Sequence, residues 1–496
     1  MQLDVVIASL INLLTSPGLL GLVVLAVPIG MFFGAVPGLG GKLGIAIMIP
    51  FVFGMDPLAG AVFLVSMHAV VHTGGSIPSI LLGVPGTGPD AATVLDGYPM
   101  AQKGEAGRAL GASLGASGVG GVIGAIVLAL LLPVLRPVVL SFGPAEFFLL
   151  AILGITFIAA LSGDNLIKGL IVGCFGLMLA FVGLDPMTGI ARFTFGQLFL
   201  WDGVDVITAV LALYAIPEMI ALGVRGGSVS AISKARANYG IRSVVEGLTD
   251  VFRHWRLTVR TSLIGALIGL VPGLGGDAAS WICYGHAVQS SRTPERFGKG
   301  AVEGVIAPET ANNSKEGGAM LPTLFFGIPG SSGMVLLLGA FVMLGIQPGP
   351  QLILNHLDLV WTLVWALVLA NLIAVLMFLG IARWLGLLAF IRGGLLVPLV
   401  FLLAITGSYL GSGSWHNLIL LLLGVLGYGL KRFDWPRPPF VIGLILGEIA
   451  EVSLHKALAI WGPAFLLRPQ ALILLAMVGA SLLFYLLRRR ATRRRS

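Results

Sequence analysis

The sequence predicts an all-α integral membrane protein, with about 12 transmembrane helices and several re-entrant hairpins. Of its 496 residues, 57% are hydrophobic and only 10% are charged, against roughly 25% charged residues in an ordinary soluble domain. Uncharged runs approach the roughly 20 residues that a helix needs to cross about 30 Å of hydrocarbon. They are continuous rather than alternating, which favours helices over strands. These runs include residues 18–33, 119–135, 359–378 and 471–487.

Basic residues concentrate in the middle of the chain and at its end. Seven lie between residues 225 and 260, and six arginines lie between 488 and 495. A nucleic-acid surface is one interpretation, but basic residues that flank membrane segments mark the cytoplasmic side. We therefore expect both regions in the cytoplasm and no nucleic acid as a partner. The predicted domains are a first membrane repeat (1–222), a cytoplasmic basic linker (223–257), a second membrane repeat (258–487) and a basic cytoplasmic tail (488–496).

Two motifs rich in glycine and proline occur twice, in the same order. Gly34-Ala-Val-Pro37-Gly38-Leu-Gly40-Gly41 returns as Gly269-Leu-Val-Pro272-Gly273-Leu-Gly275-Gly276. A second motif, at residues 76–87, returns at 320–331: Ser76-Ile-Pro78-Ser79-Ile-Leu-Leu-Gly83-Val-Pro85-Gly86-Thr87 is matched by Met320-Leu-Pro322-Thr323-Leu-Phe-Phe-Gly327-Ile-Pro329-Gly330-Ser331. Two motifs in one order, at similar separations in each half, indicate an internal duplication, and we expect the second motif to form a hairpin in each half.

The charges around the two copies have opposite bias. Lys103 and Arg108 follow the first hairpin motif, whereas residues 345–359 after the second contain neither Lys nor Arg. Arg256 and Arg260 precede the second Pro-Gly-Leu-Gly-Gly motif, and no base precedes the first. Opposite bias at equivalent positions predicts opposite orientation in the membrane. Inverted repeats with broken helices are typical of secondary transporters, so the sequence predicts two inverted structural repeats.

The Pro-Gly-Leu-Gly-Gly motifs are expected to break helices at membrane depth. Proline removes a backbone donor and glycine adopts conformations that other residues avoid, which frees amides and carbonyls. Free backbone groups at that depth are tolerated where they line a polar cavity, and there they can bind an anion or a cation. The alternative is a kink or close packing through small residues. The predicted broken-helix or ion-coupling positions are Pro37, Gly38, Gly40, Gly41, Pro272, Gly273, Gly275 and Gly276.

Hydroxyl and amide groups near the hairpin motifs are the predicted substrate ligands. Hydroxyls can donate to a carboxylate without burying a fixed charge, although membrane Ser and Thr often bond to helix carbonyls instead. Amides both donate and accept, so they can bridge a cation and a carboxylate; the alternative for residues 307–318 is a solvated loop. The predicted substrate-binding residues are Ser76, Ser79, Gly86, Thr87, Asn312, Asn313, Gly330 and Ser331.

Ionisable residues inside a membrane protein are functional candidates by default. Asp90 and Asp277 join the ion-coupling candidates, while Asp96 is expected to cap a turn near the surface. His68 and His72 stand four residues apart on one helix, a spacing that suits a metal ion or proton coupling. No third ligand lies near them in the sequence, so we interpret them as packing or polar lining. The sequence predicts no catalytic residue, no metal site and no cofactor.

These motifs resemble those of the tripartite tricarboxylate transporter family, specifically its large TctA-type membrane subunit. The resemblance covers nearly the whole chain. It rests on Val36-Pro-Gly-Leu-Gly-Gly41, Gly75-Ser-Ile-Pro-Ser79, Pro85-Gly-Thr87, Asp96-Gly-Tyr-Pro-Met100, Ala311-Asn-Asn313, Gly327-Ile-Pro-Gly330 and Gly345-Ile-Gln-Pro-Gly-Pro350.

The resemblance implies a multi-pass permease in the bacterial inner membrane, with its central loop and C-terminus in the cytoplasm. Such a permease works with a small TctB-type membrane subunit and a periplasmic TctC-type solute-binding protein. It imports di- or tricarboxylates such as citrate, driven by a Na⁺ or H⁺ gradient, and a homodimer is compatible with it. An elevator-type movement of the hairpins fits the repeats. The alternatives are a passive channel and an intramembrane enzyme acting on lipid-linked substrates.

Overall fold

The computed structural model describes residues 2–36, 40–161, 166–217, 219–220, 240–271, 275–388 and 414–480, together with 398, 401–402, 405–406 and 408–409. In these ranges the chain is almost entirely helical, as predicted. The helices are α1 (Gln2–Thr15), α2 (Pro17–Ala35), α3 (Gly40–Val52), α4 (Pro57–Leu82), α5 (Ala91–Gln102), α6 (Ala106–Leu140), α7 (Pro144–Leu161), α8 (Leu166–Ala180), α9 (Val206–Val210), α10 (Ile241–Arg253), α11 (Trp255–Gly269), α12 (Gly275–Ser290), α13 (Glu303–Phe326), α14 (Ser332–Met343), α15 (Pro350–Asn355), α16 (Leu357–Leu388), α17 (Ser414–Arg432), α18 (Pro438–Trp461) and α19 (Pro469–Ala480).

Short elements connect some of these helices. A π-helical turn at Leu211–Ala215 continues α9. Two strands of two residues each, β1 (Gly183–Leu184) and β2 (Ala191–Arg192), pair antiparallel in the connection that follows α8. Within the predicted linker, residues 241–253 form α10, which packs on α6.

Four helices among the described residues are long and apolar enough to cross a membrane. They are Pro17–Ala35, Pro57–Leu82, Ala106–Leu140 and Leu357–Leu379. A fifth span is present if α18 and α19, which are bent by 67° at the break between them, are counted as one. Shorter apolar helices, such as α3 and α14, accompany them. The membrane class is therefore confirmed, while the number of about 12 crossings stays a prediction.

Both Pro-Gly-Leu-Gly-Gly motifs separate one helix from the next. α2 ends at Ala35 and α3 begins at Gly40; α11 ends at Gly269 and α12 begins at Gly275. Gly40 takes a left-handed φ of 65°, which a residue with a side chain rarely adopts. The remaining positions of the predicted breaks, Pro37, Gly38, Pro272 and Gly273, lie outside the described residues.

The two hairpin motifs have the same local geometry. α4 and α13 end at Gly83 and Gly327, with φ of 68° and 66°. Each glycine N–H donates to the carbonyl of the helix proline five residues earlier, Pro78 or Pro322. The left-handed cap ends each helix and turns the chain back, so the two copies share a turn as well as a sequence.

Glycines let each hairpin helix pack closely on the helix that precedes the Pro-Gly-Leu-Gly-Gly break. A methyl group at Gly34 in α2 would collide with the carbonyl oxygen of Val71 in α4, and one at Gly269 in α11 would collide with that of Lys315 in α13. Because backbone cannot move aside cheaply, both crossings require glycine. Almost every residue of α4 and α13 is buried as a result.

Replacing either crossing glycine by alanine should destabilise the protein. G34A and G269A each force the helices apart, and overpacking of this kind costs about 1–3 kcal/mol. G21A is the matched control, because a methyl group at Gly21 in α2 meets no atom within 4 Å. Thermal unfolding in detergent, followed by tryptophan fluorescence, should show a lower midpoint than that of the wild type for G34A and G269A. The midpoint of G21A should not fall. Equal midpoints for all three variants would contradict this packing.

Candidate functional site

The two hairpin helices bring a buried histidine pair against a buried carboxylate. His68 and His72 lie one turn apart on α4, and their Nε2 atoms are each 3.1 Å from a carboxylate oxygen of Glu316 on α13. The side chain of Glu316 is 1% exposed. No third group lies near the histidines in the sequence, but the structure brings one from the other half of the chain. Their interpretation as packing or polar lining stays a prediction.

A buried lysine completes this group. Lys315 Nζ lies 2.6 Å from Glu316 Oε1, and the lysine side chain is 3% exposed. A Cβ added at Gly276, in the first turn of α12, would lie 2.9 Å from Nζ and 2.7 Å from Pro89 Cγ. The ammonium group therefore lies between the second helix break and the loop that follows the first hairpin motif. We call His68, His72, Lys315 and Glu316 the charged cluster.

The charged cluster contains the ligand types of a metal site. Two imidazoles and a carboxylate are a set that zinc uses, and their ligand atoms lie within 4.8 Å of one another. The Lys315 ammonium, however, already contacts the oxygen that His72 faces. A buried anion must be paired to be tolerated, and here the protein supplies the positive charge from its own side chain.

The tip of the first hairpin is hydrogen-bonded to the charged cluster. Thr87 Oγ1 lies 3.1 Å from His72 Nδ1 and donates to Asp90 Oδ2 at 2.6 Å. The Thr87 N–H donates to the same oxygen at 2.9 Å. A continuous chain of contacts thus runs from Asp90 through Thr87 and His72 to Glu316.

Two asparagines on α13 extend this polar region. Asn312 Nδ2 donates to Asp90 Oδ1 at 3.2 Å, and Asn313 Nδ2 contacts Thr73 Oγ1 at 3.1 Å and Asn371 Oδ1 at 2.8 Å. The Oδ1 atoms of both asparagines are buried and have no hydrogen-bond partner among the described residues. Two acceptors are therefore available for a cation or for a hydroxyl of a bound solute. The alternative of a solvated loop is wrong, because this segment is buried helix.

The structure brings four predicted residues together at this region: Thr87, Asp90, Asn312 and Asn313. The predicted hydroxyls elsewhere have partners within the protein. Ser76 donates to the Thr73 carbonyl at 2.9 Å and Ser79 to that of Gly75 at 2.9 Å, which is the helix back-bonding considered above. Ser331 caps α14 by accepting from the Met334 N–H at 3.3 Å. As substrate ligands these three serines stay predictions.

The predicted glycines act through close approach. A Cβ at Gly86 would lie 2.6 Å from the Gly75 Cα, and one at Gly330 would lie 2.7 Å from the Ala319 Cα. Their N–H groups donate to Ser79 Oγ at 3.4 Å and Thr323 Oγ1 at 3.3 Å, equivalent positions in the two motifs. Neither hairpin could close with a side chain there.

The remaining broken-helix candidates differ in their surroundings. Gly41 faces Val71 of α4, since a Cβ there would lie 2.6 Å from Val71 Cγ1. Gly40 has open space around it. Gly275 and Asp277 belong to α12, and the surroundings of the Asp277 side chain lie outside what the structure describes.

Sequence reasoning missed Lys315, Glu316 and Asn371 as site residues, although a signal for Glu316 was present. His72 and Glu316 are 244 residues apart, which is also the offset between Ser76 and Met320 in the aligned motifs. Aligning the two copies beyond the motifs would have placed the histidine and the glutamate at equivalent positions.

A second buried carboxylate ties the two halves together. Asp96 is fully buried, so its expected place near the surface is wrong. It accepts the N–H groups of Gly300 and Ala301 at 2.8 Å each, just before α13, and the Tyr284 hydroxyl at 2.9 Å. Asp96 therefore fixes the start of the helix that carries the charged cluster.

Asp96→Asn should destabilise the protein more than Tyr284→Phe. The amide removes the negative charge that accepts both backbone N–H groups, and bonds to a charged acceptor contribute about 1.5–3 kcal/mol against about 1 kcal/mol for an ordinary bond. The midpoint of thermal unfolding in detergent is measured for both variants. If Tyr284→Phe lowers the midpoint as much as Asp96→Asn, the backbone bonds at 300 and 301 do not hold the helix start.

The fold and the site define an almost entirely helical membrane protein in which the two hairpin helices meet at a buried polar centre. Residues 20–442 match the sequence profile of the "Tripartite tricarboxylate transporter TctA family". The chain therefore belongs to the TctA family, which is a family of transporters and not of enzymes. Its predicted membership is confirmed.

Two proteins of Agrobacterium vitis are similar to this chain. One, named "Uncharacterized 52.8 kDa protein in TAR-I ttuC' 3'region", is 32% identical over 467 residues, which cover 92% of this chain and 91% of that protein. The other, named "Uncharacterized protein in TAR-II ttuC' 3'region", is 34% identical over 198 residues, 40% of this chain and 81% of that protein. No solved structure matches the chain.

Proposed function

We propose that the chain is the large permease subunit of a binding-protein-dependent secondary transporter. It imports di- or tricarboxylates of the citrate type across the bacterial inner membrane, driven by a Na⁺ or H⁺ gradient. Its partners are a small TctB-type membrane subunit and a periplasmic TctC-type protein that delivers the solute. Membership of the TctA family supports the tripartite assembly.

One observation carries the mechanism: residues at equivalent positions of the two copies touch each other. His72 and Glu316 are such a pair, and Asn313 Nδ2 contacts the carbonyl of its equivalent residue, Ala69, at 3.4 Å. Equivalent positions can meet only close to the axis that relates two similar units. In transporters built from inverted repeats, substrate and ion sites lie at that interface, near the middle of the membrane. This supports a site between the two hairpins.

The chemistry of the site suits an anion carried with a cation. Lys315 provides a buried positive charge, and the starts of α3 and α12 at the breaks provide N–H groups that favour an anion. The Oδ1 atoms of Asn312 and Asn313, which accept no hydrogen bond from the described residues, are acceptors. Inverted orientation of the two copies, which the opposite charge bias around them supports, and an elevator-type movement of the hairpins complete the proposal.

The two alternative functions have less support. An intramembrane enzyme requires acidic and histidine groups at a membrane face that its lipid-linked substrate can reach. The charged cluster has such groups, but its side chains are at most 9% exposed. A passive channel has no need of a buried ion pair such as the one between Lys315 and Glu316. The site favours a solute that is enclosed and released.

Asn313→Leu should abolish uptake while the protein still inserts into the membrane. Leucine removes the amide group that donates to Thr73 and Asn371. We therefore expect uptake of radiolabelled citrate or succinate to fall at least about tenfold, which corresponds to a loss of about 1.4 kcal/mol. Asn355→Leu is the matched control, because Asn355 is exposed and contacts only Gln351 of its own helix among described partners.

Uptake is measured in proteoliposomes that contain the three subunits, and insertion is measured by the yield of permease in the membrane fraction. Normal uptake by Asn313→Leu would remove this residue from the site. Equal loss in both variants would show that leucine at either position damages the protein in general.

A further inference from the structure

We propose that the contact between His72 and Glu316 is the proton site of the transport cycle, and that its protonation releases Lys315 to bind a carboxylate of the cargo. The inference rests on the proposed function, because it assumes that the chain carries a carboxylate. It goes further in choosing H⁺ over Na⁺ and in assigning the residue that holds the anion.

The hydrogen bonds around His72 require a proton between the two side chains. Thr87 donates its hydroxyl hydrogen to Asp90, so its oxygen accepts from Nδ1–H of His72 at 3.1 Å. A neutral imidazole that carries its hydrogen on Nδ1 has a lone pair on Nε2. That Nε2 faces a carboxylate oxygen of Glu316 at 3.1 Å, and two acceptors hold this distance when one of them is protonated.

The position of that proton decides the partner of Lys315. When the proton is present, the charge of Glu316 is shared with His72, and the ammonium 2.6 Å away has room for a second anion. When it leaves, Glu316 is a full carboxylate and neutralises Lys315 alone. A buried charge without a partner is strongly unfavourable, so a cargo carboxylate binds best to the protonated cluster.

The step balances without any other reactant. One proton passes from water to the His72–Glu316 pair, where it forms an N–H or O–H bond, and Lys315 keeps its own proton throughout. On the other side of the membrane the cargo leaves, the proton returns to water, and Glu316 pairs with Lys315 again. One proton moves with each cargo anion at this site.

In the part of the chain that the structure describes, few other titratable groups face the pair. His68 contacts the second oxygen of Glu316, and Asp90 faces His72 through Thr87. Glu309, two turns earlier on α13, contacts the hydroxyls of Thr93 at 2.5 Å and Ser117 at 3.1 Å instead. On the neighbouring helices, Arg108 of α6 forms an ion pair with Asp250. The side chains of Arg256 and Arg260 of α11 are exposed at the surface, and Tyr284 of α12 contacts Asp96.

The assay uses proteoliposomes that contain the three subunits, with ¹⁴C-citrate and, in parallel, ¹⁴C-succinate as probes. Counterflow against unlabelled solute measures binding and movement without an ion gradient. Accumulation under an inward proton gradient, or under an inward sodium gradient, measures coupling. A pH-sensitive dye inside the vesicles reports whether protons enter with the solute in the wild-type protein.

We expect the wild type to perform counterflow, to accumulate solute under the proton gradient alone and to acidify the vesicle interior. In Glu316→Gln, proton-driven accumulation should fall at least about tenfold more than counterflow does, because the variant loses the proton site but retains Lys315. Lys315→Met should lower counterflow by about 30-fold or more, as expected when one partner of a buried charge pair is removed. Glu309→Gln is the matched control: it alters a buried acid of the same helix that contacts only hydroxyls among described groups, and it should keep proton-driven accumulation.

The outcomes separate the two proposals. Absence of wild-type counterflow with either probe would contradict the proposed carboxylate transport itself. Counterflow with accumulation driven by sodium and not by protons, or without vesicle acidification, would overturn the proton site while leaving transport intact; this measurement needs no variant. Loss of proton coupling in Glu309→Gln with coupling kept in Glu316→Gln would place the proton at the other acid and equally overturn the inference.

Discussion

Glu316 is buried inside a membrane protein, where an isolated carboxylate would be very unfavourable. Two imidazoles from α4 contact its oxygens, and the neighbouring Lys315 supplies the opposite charge. The contacts come from both halves of the chain, so the halves must stay together for the carboxylate to stay paired. The fold around this carboxylate is arranged to keep α4 and α13 in contact.

Close packing makes that contact possible. Glycines at equivalent positions of α2 and α11 let the hairpin helices approach until backbone meets backbone. Left-handed glycine caps at Gly83 and Gly327 then turn the chain back at the same place in both copies. Asp96 adds a third constraint by fixing the start of α13 from the other half. The same residues that make the repeats recognisable in the sequence therefore position the charged cluster.

The sequence predicted the features whose causes are local. Apolar length predicts membrane helices, and the chemistry of proline and glycine predicts where α2 and α11 end. Thr87, Asp90, Asn312 and Asn313 could be proposed as site residues because they lie beside recognisable motifs, and the structure places them in one polar region. Lys315 and Glu316 were missed as site residues because, read locally, their polar segment has the composition of a solvated loop. The contacts with His68 and His72, 248 and 244 residues away, show why these charges are buried.

The central claim is that His72 and Glu316 interact directly across the two halves, and a double-mutant cycle measures that interaction. The free energy of unfolding in detergent is determined for the wild type, His72→Gln, Glu316→Gln and the double variant. We expect a coupling of at least about 1 kcal/mol, as found for residues in one buried network. Effects that add within about 0.5 kcal/mol, as for distant sites, would contradict it.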